Sequence, residues 1–138
     1  MEPFSINTVL PSRAQLARKL LFVILAILAV NSIAIYFYWY SQIWWFDMPM
    51  HFAGGFFLGL LGCWGIKFIH RHITSLATLA ITVIGFVLIV GGGWEAYEYG
   101  VQDITHAILA NPLDSVSDIF FDLSGGTCAL LYLLRKKI

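Results

Sequence analysis

Six carboxylates and one imidazole stand at spacings that suit cation or proton chemistry. Asp47 precedes His51 by four residues in "DMPMH", Glu95 and Glu98 are three apart in "WEAYE", and Asp114, Asp118 and Asp122 recur every fourth residue in "DSVSDIFFD". On a helix, residues three or four apart share a face. Carboxylates with one imidazole suit a hard divalent cation, Mg²⁺ or Mn²⁺ before Zn²⁺ or iron. Asp47, His51, Glu95, Glu98, Asp114, Asp118 and Asp122 are therefore the candidate metal ligands. His51, Glu95 and Asp118 are also the candidate catalytic groups, able to take or give a proton.

The elements that must position these residues are apolar. The chain has 138 residues, of which 59% are hydrophobic and 12% charged, and its mean hydropathy is +0.81. Soluble domains carry about 25% charged residues, so this is an integral membrane protein, and its length allows one domain over residues 1–138. Four continuous apolar runs can each cross about 30 Å of hydrocarbon as a helix. They lie at about 20–40, 48–69, 75–99 and 114–134. Continuous runs favour helices over a barrel, whose strands alternate. The expected fold is an all-α four-helix membrane bundle. A cleaved signal peptide is the rival reading of the first run, but it ends in "YFYWY" rather than in small residues, which marks a retained span with an interfacial aromatic belt. Between the third and fourth runs, Val101, Ile104, Ile108 and Leu109 recur at helical spacing before Asn111–Pro112, predicting a short interfacial helix. The opening "MEPFSINTVLPS" reads as a tail or surface helix.

Charge is segregated along the chain. All eight basic residues (Arg13, Arg18, Lys19, Lys67, Arg71, Arg135, Lys136 and Lys137) fall at one end of the predicted bundle. The positive-inside rule puts that end, with both termini, in the cytoplasm. Every acid except Glu2 then falls in or near the outer half, with His51 and His106. The expected location is a bacterial-type inner membrane, multi-pass, with the polar site on the extracytoplasmic side. Net charge is zero, so no nucleic-acid partner is indicated.

Some of these residues have structural readings. Asp47 and Asp114 begin spans and read as N-caps favoured by the helix dipole. Glu98 fits a solvated helix end. Cys63 and Cys128 lack metal-ligand spacing and read as small buried packing residues. Asp118 and Asp122 resist such readings: Asp122 lies about 12 Å along the axis from Asp114, too deep to cap. A lipid-facing carboxylate at depth costs about 2.5–3.5 kcal/mol, so both must face the interior, where protons, a cation or a cationic substrate neutralise them. His51, Gly55, Gly59 and Gly62 form one small-residue stripe, and Gly125, Gly126 and Ala129 another. Such stripes allow close helix approach, and their meeting would bring His51 towards Asp118 and Asp122. Gly91, Gly92 and Gly93 weaken the third helix or let a neighbour approach it.

The motifs "DMPMHF", "FLG", "WEAYE" and "DIFFDLSGG" over residues 47–126 resemble the VanZ-like group of small bacterial integral membrane proteins and related uncharacterised inner-membrane families. The matching positions are Asp47, His51, Glu95 or Glu98, Asp118, Asp122 and Gly125. Asp122 stands where the VanZ-like pattern has Asn, and Met48 where it often has Lys. The resemblance implies a shared polar site, not a reaction.

Three functions follow as expectations. The first is a divalent-metal-dependent enzyme acting on lipid or lipid-linked cell-envelope substrates, whose phosphates an acidic site reaches only through a bridging cation. The second is a binder or transporter of a metal ion, a proton or an organic amine, with Trp44, Trp45, Trp94, Tyr97 and Tyr99 near the acids. The third is a structural subunit with protonated, hydrogen-bonded carboxylates. Membrane lipid, a lipid-linked or cationic small molecule, and further copies of the chain are the expected partners.

Overall fold

The structure, a computed structural model, describes residues 5–69, 73, 75–105 and 112–135. All regular structure among them is helical: α1 (Ile6–Val9), α2 (Arg13–Tyr36), α3 (Trp39–Gln42), α4 (Asp47–Ile69), α5 (Leu76–Thr105) and α6 (Pro112–Leu134). Four of these, α2, α4, α5 and α6, are long and apolar enough to cross a membrane. The four-helix membrane bundle expected from the apolar runs is the fold observed.

The first span differs at both ends from its apolar run. It starts earlier because Ser12 closes a capping box with Gln15: the Ser12 hydroxyl accepts from Gln15 N at 3.3 Å and Gln15 Oε1 accepts from Ser12 N at 2.9 Å. A cap of this kind contributes about 1 kcal/mol, and it carries the basic residues Arg13, Arg18 and Lys19 into the helix. It ends earlier because the chain turns at Tyr38, whose φ of 57° is left-handed. That conformation costs a non-glycine residue about 1–3 kcal/mol. Aromatic packing offsets the cost: Phe46 meets Trp39 at 5.3 Å and Tyr40 at 5.0 Å, edge to face, and the Tyr40 hydroxyl donates to Asn31 Oδ1 at 2.7 Å. The short α3 is thereby tied back onto α2. Its Tyr40 phenol is held above the usual tyrosine range by burial first, then by the charges of Asp47 and Glu98.

The helices run alternately up and down. The starts of α4 and α6 meet the end of α5 around His51. At the opposite end Arg13 of α2 donates to the Lys67 carbonyl of α4 at 2.9 Å, and Lys67, itself buried, donates to the Leu10 carbonyl at 3.2 Å. These bonds fasten the segment before α2 beneath the bundle, with Ile6 and Leu10 in the core. Within the opening segment, α1 is thus a tucked-in turn of helix, while residues 1–4 lie outside the described residues.

The most extensive contact joins α4 to α6, and glycine makes it possible. A Cβ on Gly55 would lie 2.0 Å from the Asp122 carbonyl oxygen, and one on Gly125 would lie 2.0 Å from the Phe52 carbonyl oxygen. The backbones touch, as small-residue packing between membrane helices allows. Gly59 continues the seam against Ala129 and Gly126. Gly62 departs from the expected stripe and presents its open side to Phe86 of α5, while Gly126, whose backbone lies in the seam, also meets Val87 of α5. The glycine run of α5 is an unbroken helix.

Below the polar end the core is apolar, built from Leu60, Cys63, Leu79, Val83, Ala129 and Leu130. Cys128 is not in it. The expectation of a buried Cys128 is corrected: it is exposed, next to the exposed Thr127 on α6. The exterior carries Phe22, Leu25, Ile81, Ile89, Phe120 and Leu131, a surface matched to hydrocarbon. Residues 101–105 extend α5 as its last turn. The rest of the expected interfacial segment, residues 106–111, lies outside the described residues, as do His70, His72, Arg71, Lys136 and Lys137.

Candidate functional site

Four carboxylates from three helices converge on one imidazole. Asp47 and His51 stand one turn apart at the start of α4, with Asp47 Oδ2 3.7 Å from His51 Nε2. The end of α5 brings Glu95 Oε1 to 3.8 Å from the same nitrogen, and α6 brings Asp118 Oδ1 to 4.0 Å. Asp122, one turn deeper on α6, lies on the other side of the ring, its Oδ1 3.5 Å from Nδ1. The two faces of the imidazole therefore see different acids: three carboxylates at Nε2, one at Nδ1.

Each placement has a local cause. Gly55 and Gly125 remove the side chains that would separate α4 from α6, so Asp122 reaches the ring across a backbone contact. Gly91 clears the α5 side, where a Cβ would stand 2.5 Å from Asp122 Oδ2. Asp47 is the first residue of α4 and Asp114 the third of α6. The expected N-cap roles are thus corrected: both act from inside the first turn, where the dipole still favours a negative charge.

Burial makes the cluster costly. Glu95 is 6% exposed, Asp118 4% and Asp122 5%, while the Asp47 side chain is 45% exposed and opens the site outward. Every ion pair among the described residues that involves these carboxylates uses His51; none uses Lys or Arg. One imidazolium cannot balance four carboxylates, and like charges this close disfavour each other strongly in a low dielectric. Glu95 Oε1 is buried with no hydrogen-bond partner, although a lost partner there costs about 1–3 kcal/mol or more. The geometry asks for positive charge at that oxygen.

Among the described residues, two sets each gather their ligand atoms within 4.8 Å: Asp47, His51 and Asp118, and His51, Glu95 and Glu98. They share His51. Glu98 is half-buried and part of the cluster, so the reading of it as a solvated end is replaced. Asp114 is exposed at the rim and in no such set. The Asp103 side chain and His106 fall outside the described residues.

Beside the cluster lies a cavity of about 720 Å³. Ile24, Ile27 and Leu28 of α2, Phe57 and Leu58 of α4, and Val90 of α5 form its apolar walls, and Tyr40, Asp47, His51, Glu98 and Asp122 its polar end. Ligand sites span about 300–1,000 Å³, so the space is of ligand size. Its apolar wall was not anticipated from the sequence. The one available signal was α2, a span without a polar face.

A family model described as a predicted membrane protein matches residues 6–137. Searches of curated proteins and of solved structures return no match. With almost the whole chain covered and four spanning helices in place, the chain belongs to the predicted membrane protein family DUF2238.

Proposed function

We propose that this protein is a divalent-cation-dependent membrane enzyme that acts, at the outer leaflet, on lipid or lipid-linked cell-envelope substrates. The observation that carries the reading is Glu95 Oε1, buried without a hydrogen-bond partner and facing His51 Nε2 among other carboxylates. Asp47, Glu95 and Asp118, with His51 through Nε2 and Glu98 alongside, would hold the cation. Asp122 has a different role: from the Nδ1 side it fixes the tautomer and the ring orientation, as carboxylates behind ligating histidines do. Mg²⁺ or Mn²⁺ suits the oxygen-rich set best. When bound, the cation supplies Lewis-acid polarisation of a phosphoryl oxygen and relieves the repulsion between that group and the acids.

The chain's own residues do the rest. Asp47, at the open edge, is placed to take a proton from a group entering from outside. Glu95 and Asp118 are buried enough to exclude competing water. The cavity beside them offers hydrocarbon-lined walls that end at carboxylates and an imidazole, which supports an amphiphilic substrate. The VanZ-like motif likeness supports the same polar site. The outward placement rests on the segregation of basic residues and the positive-inside rule.

Metal analysis of the purified protein tests the proposal. About one equivalent of divalent metal, lost in His51→Ala, with a thermal stability that a chelator lowers, is the expected result. Protein that holds no metal and is stabilised by none would overturn it.

A second reading has its own observation. Tyr40 and Trp94 line the cavity next to Asp47 and Glu98, a pairing of aromatic faces with carboxylates that suits an organic ammonium ion. Transport across the bundle is less well supported, because the core below Asp122 is apolar. Uptake of a labelled amine into proteoliposomes, absent in Asp122→Asn, would favour this reading over the enzyme.

A further inference from the structure

The opposite end of the bundle holds a second cavity of about 470 Å³. Its polar lining is Thr8, Gln15, Arg18, Lys19, Tyr132 and Arg135, and no acid lines it among the described residues. We infer that this pocket binds the phosphate group of an anionic membrane lipid.

Three observations converge on it. First, the pocket is organised around one ring. Lys19 Nζ donates to the Tyr132 hydroxyl and lies 4.6 Å from the ring centroid. The Arg135 guanidinium lies 4.4 Å from the same centroid. Cations from α2 and from the end of α6 are thereby gathered on one aromatic side chain rather than spread over a surface.

Second, the helix dipoles do not account for all of this charge. Arg135 follows the C-terminus of α6, where a cation is favoured. Arg18 and Lys19 lie in the second turn of α2, where no helix C-terminus favours a cation, and the first turn of that helix carries no acid to pair with them. Cations that neither a helix dipole nor a first-turn acid offsets call for an anion.

Third, the neighbouring polar groups are already committed in ways that leave the cations facing the cavity. The Thr8 hydroxyl donates to the Ser5 carbonyl at 2.8 Å, and Gln15 Oε1 accepts from Ser12 N at 2.9 Å. Arg13, the other basic residue of this end of α2, is turned away to the Lys67 carbonyl and lies 4.2 Å from the Phe68 centroid. Arginine forks and a lysine point charge match phosphate oxygens. Basic pockets at helix ends near a membrane surface take anionic headgroups. Val9, Leu10 and Leu133 supply the apolar part of the lining for the adjoining lipid. The site is separate from the acidic one and does not depend on its proposed function.

Thermal stability of the full chain in a neutral detergent tests the inference, with dioctanoyl phosphatidylglycerol, dioctanoyl phosphatidylcholine and inorganic phosphate as probes. Phosphatidylglycerol is expected to stabilise the protein with a midpoint at least tenfold lower than phosphatidylcholine. Arg18→Gln, at an exposed position, should raise the phosphatidylglycerol midpoint at least threefold. Tyr132→Leu, which keeps every charge, should do the same, whereas Tyr132→Phe should keep most of the response. Stabilisation by inorganic phosphate at the phosphatidylglycerol midpoint would overturn the lipid assignment and leave a site for a soluble phosphate. Equal responses to the two lipids would overturn the inference. So would a phosphatidylglycerol response lost equally in Arg18→Gln and in Arg13→Gln, a variant with the same loss of charge whose side chain is turned away from the pocket, because total charge would then explain it.

Discussion

Glu95 is the residue on which most depends. Its carboxylate is buried among other acids with one oxygen unpaired, so it costs stability whenever no cation is present. Glu95→Gln keeps the shape, removes a charge and adds donors that can reach the neighbouring acids. Two effects of opposite sign are expected. In a chelator the variant melts higher than wild type, by the equivalent of about 1–3 kcal/mol. With Mg²⁺ or Mn²⁺ present the wild type gains stability and the variant gains little. Melting curves in both conditions measure this; a variant that melts lower in chelator and still responds to metal would contradict it. Asp122 separates differently. Asp122→Asn keeps a hydrogen-bonding group behind His51 Nδ1, so metal affinity is expected to fall by about 10–100-fold rather than vanish, as titration calorimetry can read. His51 and the aspartates were identifiable from their four-residue spacing. That Asp122 faces one ring nitrogen while Asp118 faces the other was not, because spacing assigns residues to a face and not to an atom.

At the scale of the elements, the glycines sort into those that bring helices together and those that do not. Gly55→Ala places a methyl group against the Asp122 backbone, which cannot move as a side-chain tip can. It is expected to destabilise the protein by about 1–3 kcal/mol, outweighing the helix-propensity gain. Gly93 has nothing within 4 Å of where its Cβ would be, so Gly93→Ala should be neutral or stabilising by up to about 1 kcal/mol. Urea or thermal melts of the two variants in one detergent test the contrast. Gly91→Ala is intermediate: its methyl group meets the Asp122 side chain first, so the fold should persist while metal-dependent stabilisation is weakened. The two glycine stripes were legible as packing surfaces. Their division between partners was not: Gly62 serves α5 and Gly126 serves both α4 and α5, since one helix with two neighbours presents small residues to both.

At the scale of the whole molecule, opposite charges collect at opposite ends of one apolar bundle. The acidic end requires deprotonated ligands to hold a metal, so acidification competes with binding. The metal-induced rise in melting temperature is therefore expected to shrink as pH falls from neutral towards 5, measured at fixed metal concentration. Orientation is testable without reference to activity. Trp44 is 82% exposed in the turn before α4, and Arg135 ends α6. In a Cys128→Ala background, Trp44→Cys should react with an impermeant thiol reagent in intact cells. Arg135→Cys should react only after permeabilisation. The reverse pattern would place the acidic site in the cytoplasm.

Local composition alone determined a good deal. Apolar runs of sufficient length dictate four spanning helices, because backbone polar groups in lipid must be paired within the segment. The segregation of charge and the depth of Asp118 and Asp122 are likewise properties of the chain in one dimension. Only the tertiary structure decided which helix faces meet. It made His51 the shared centre of two faces, drew Glu98 in, left Asp114 at the rim and turned Cys128 outward. It also set the apolar cavity against the acids and gathered Lys19 and Arg135 on Tyr132 from opposite ends of the chain. The reason is rotational: periodicity defines a stripe on each helix, but the contacts of Gly55, Gly91 and Gly125 determine how each helix is turned about its axis and how near its neighbour it lies.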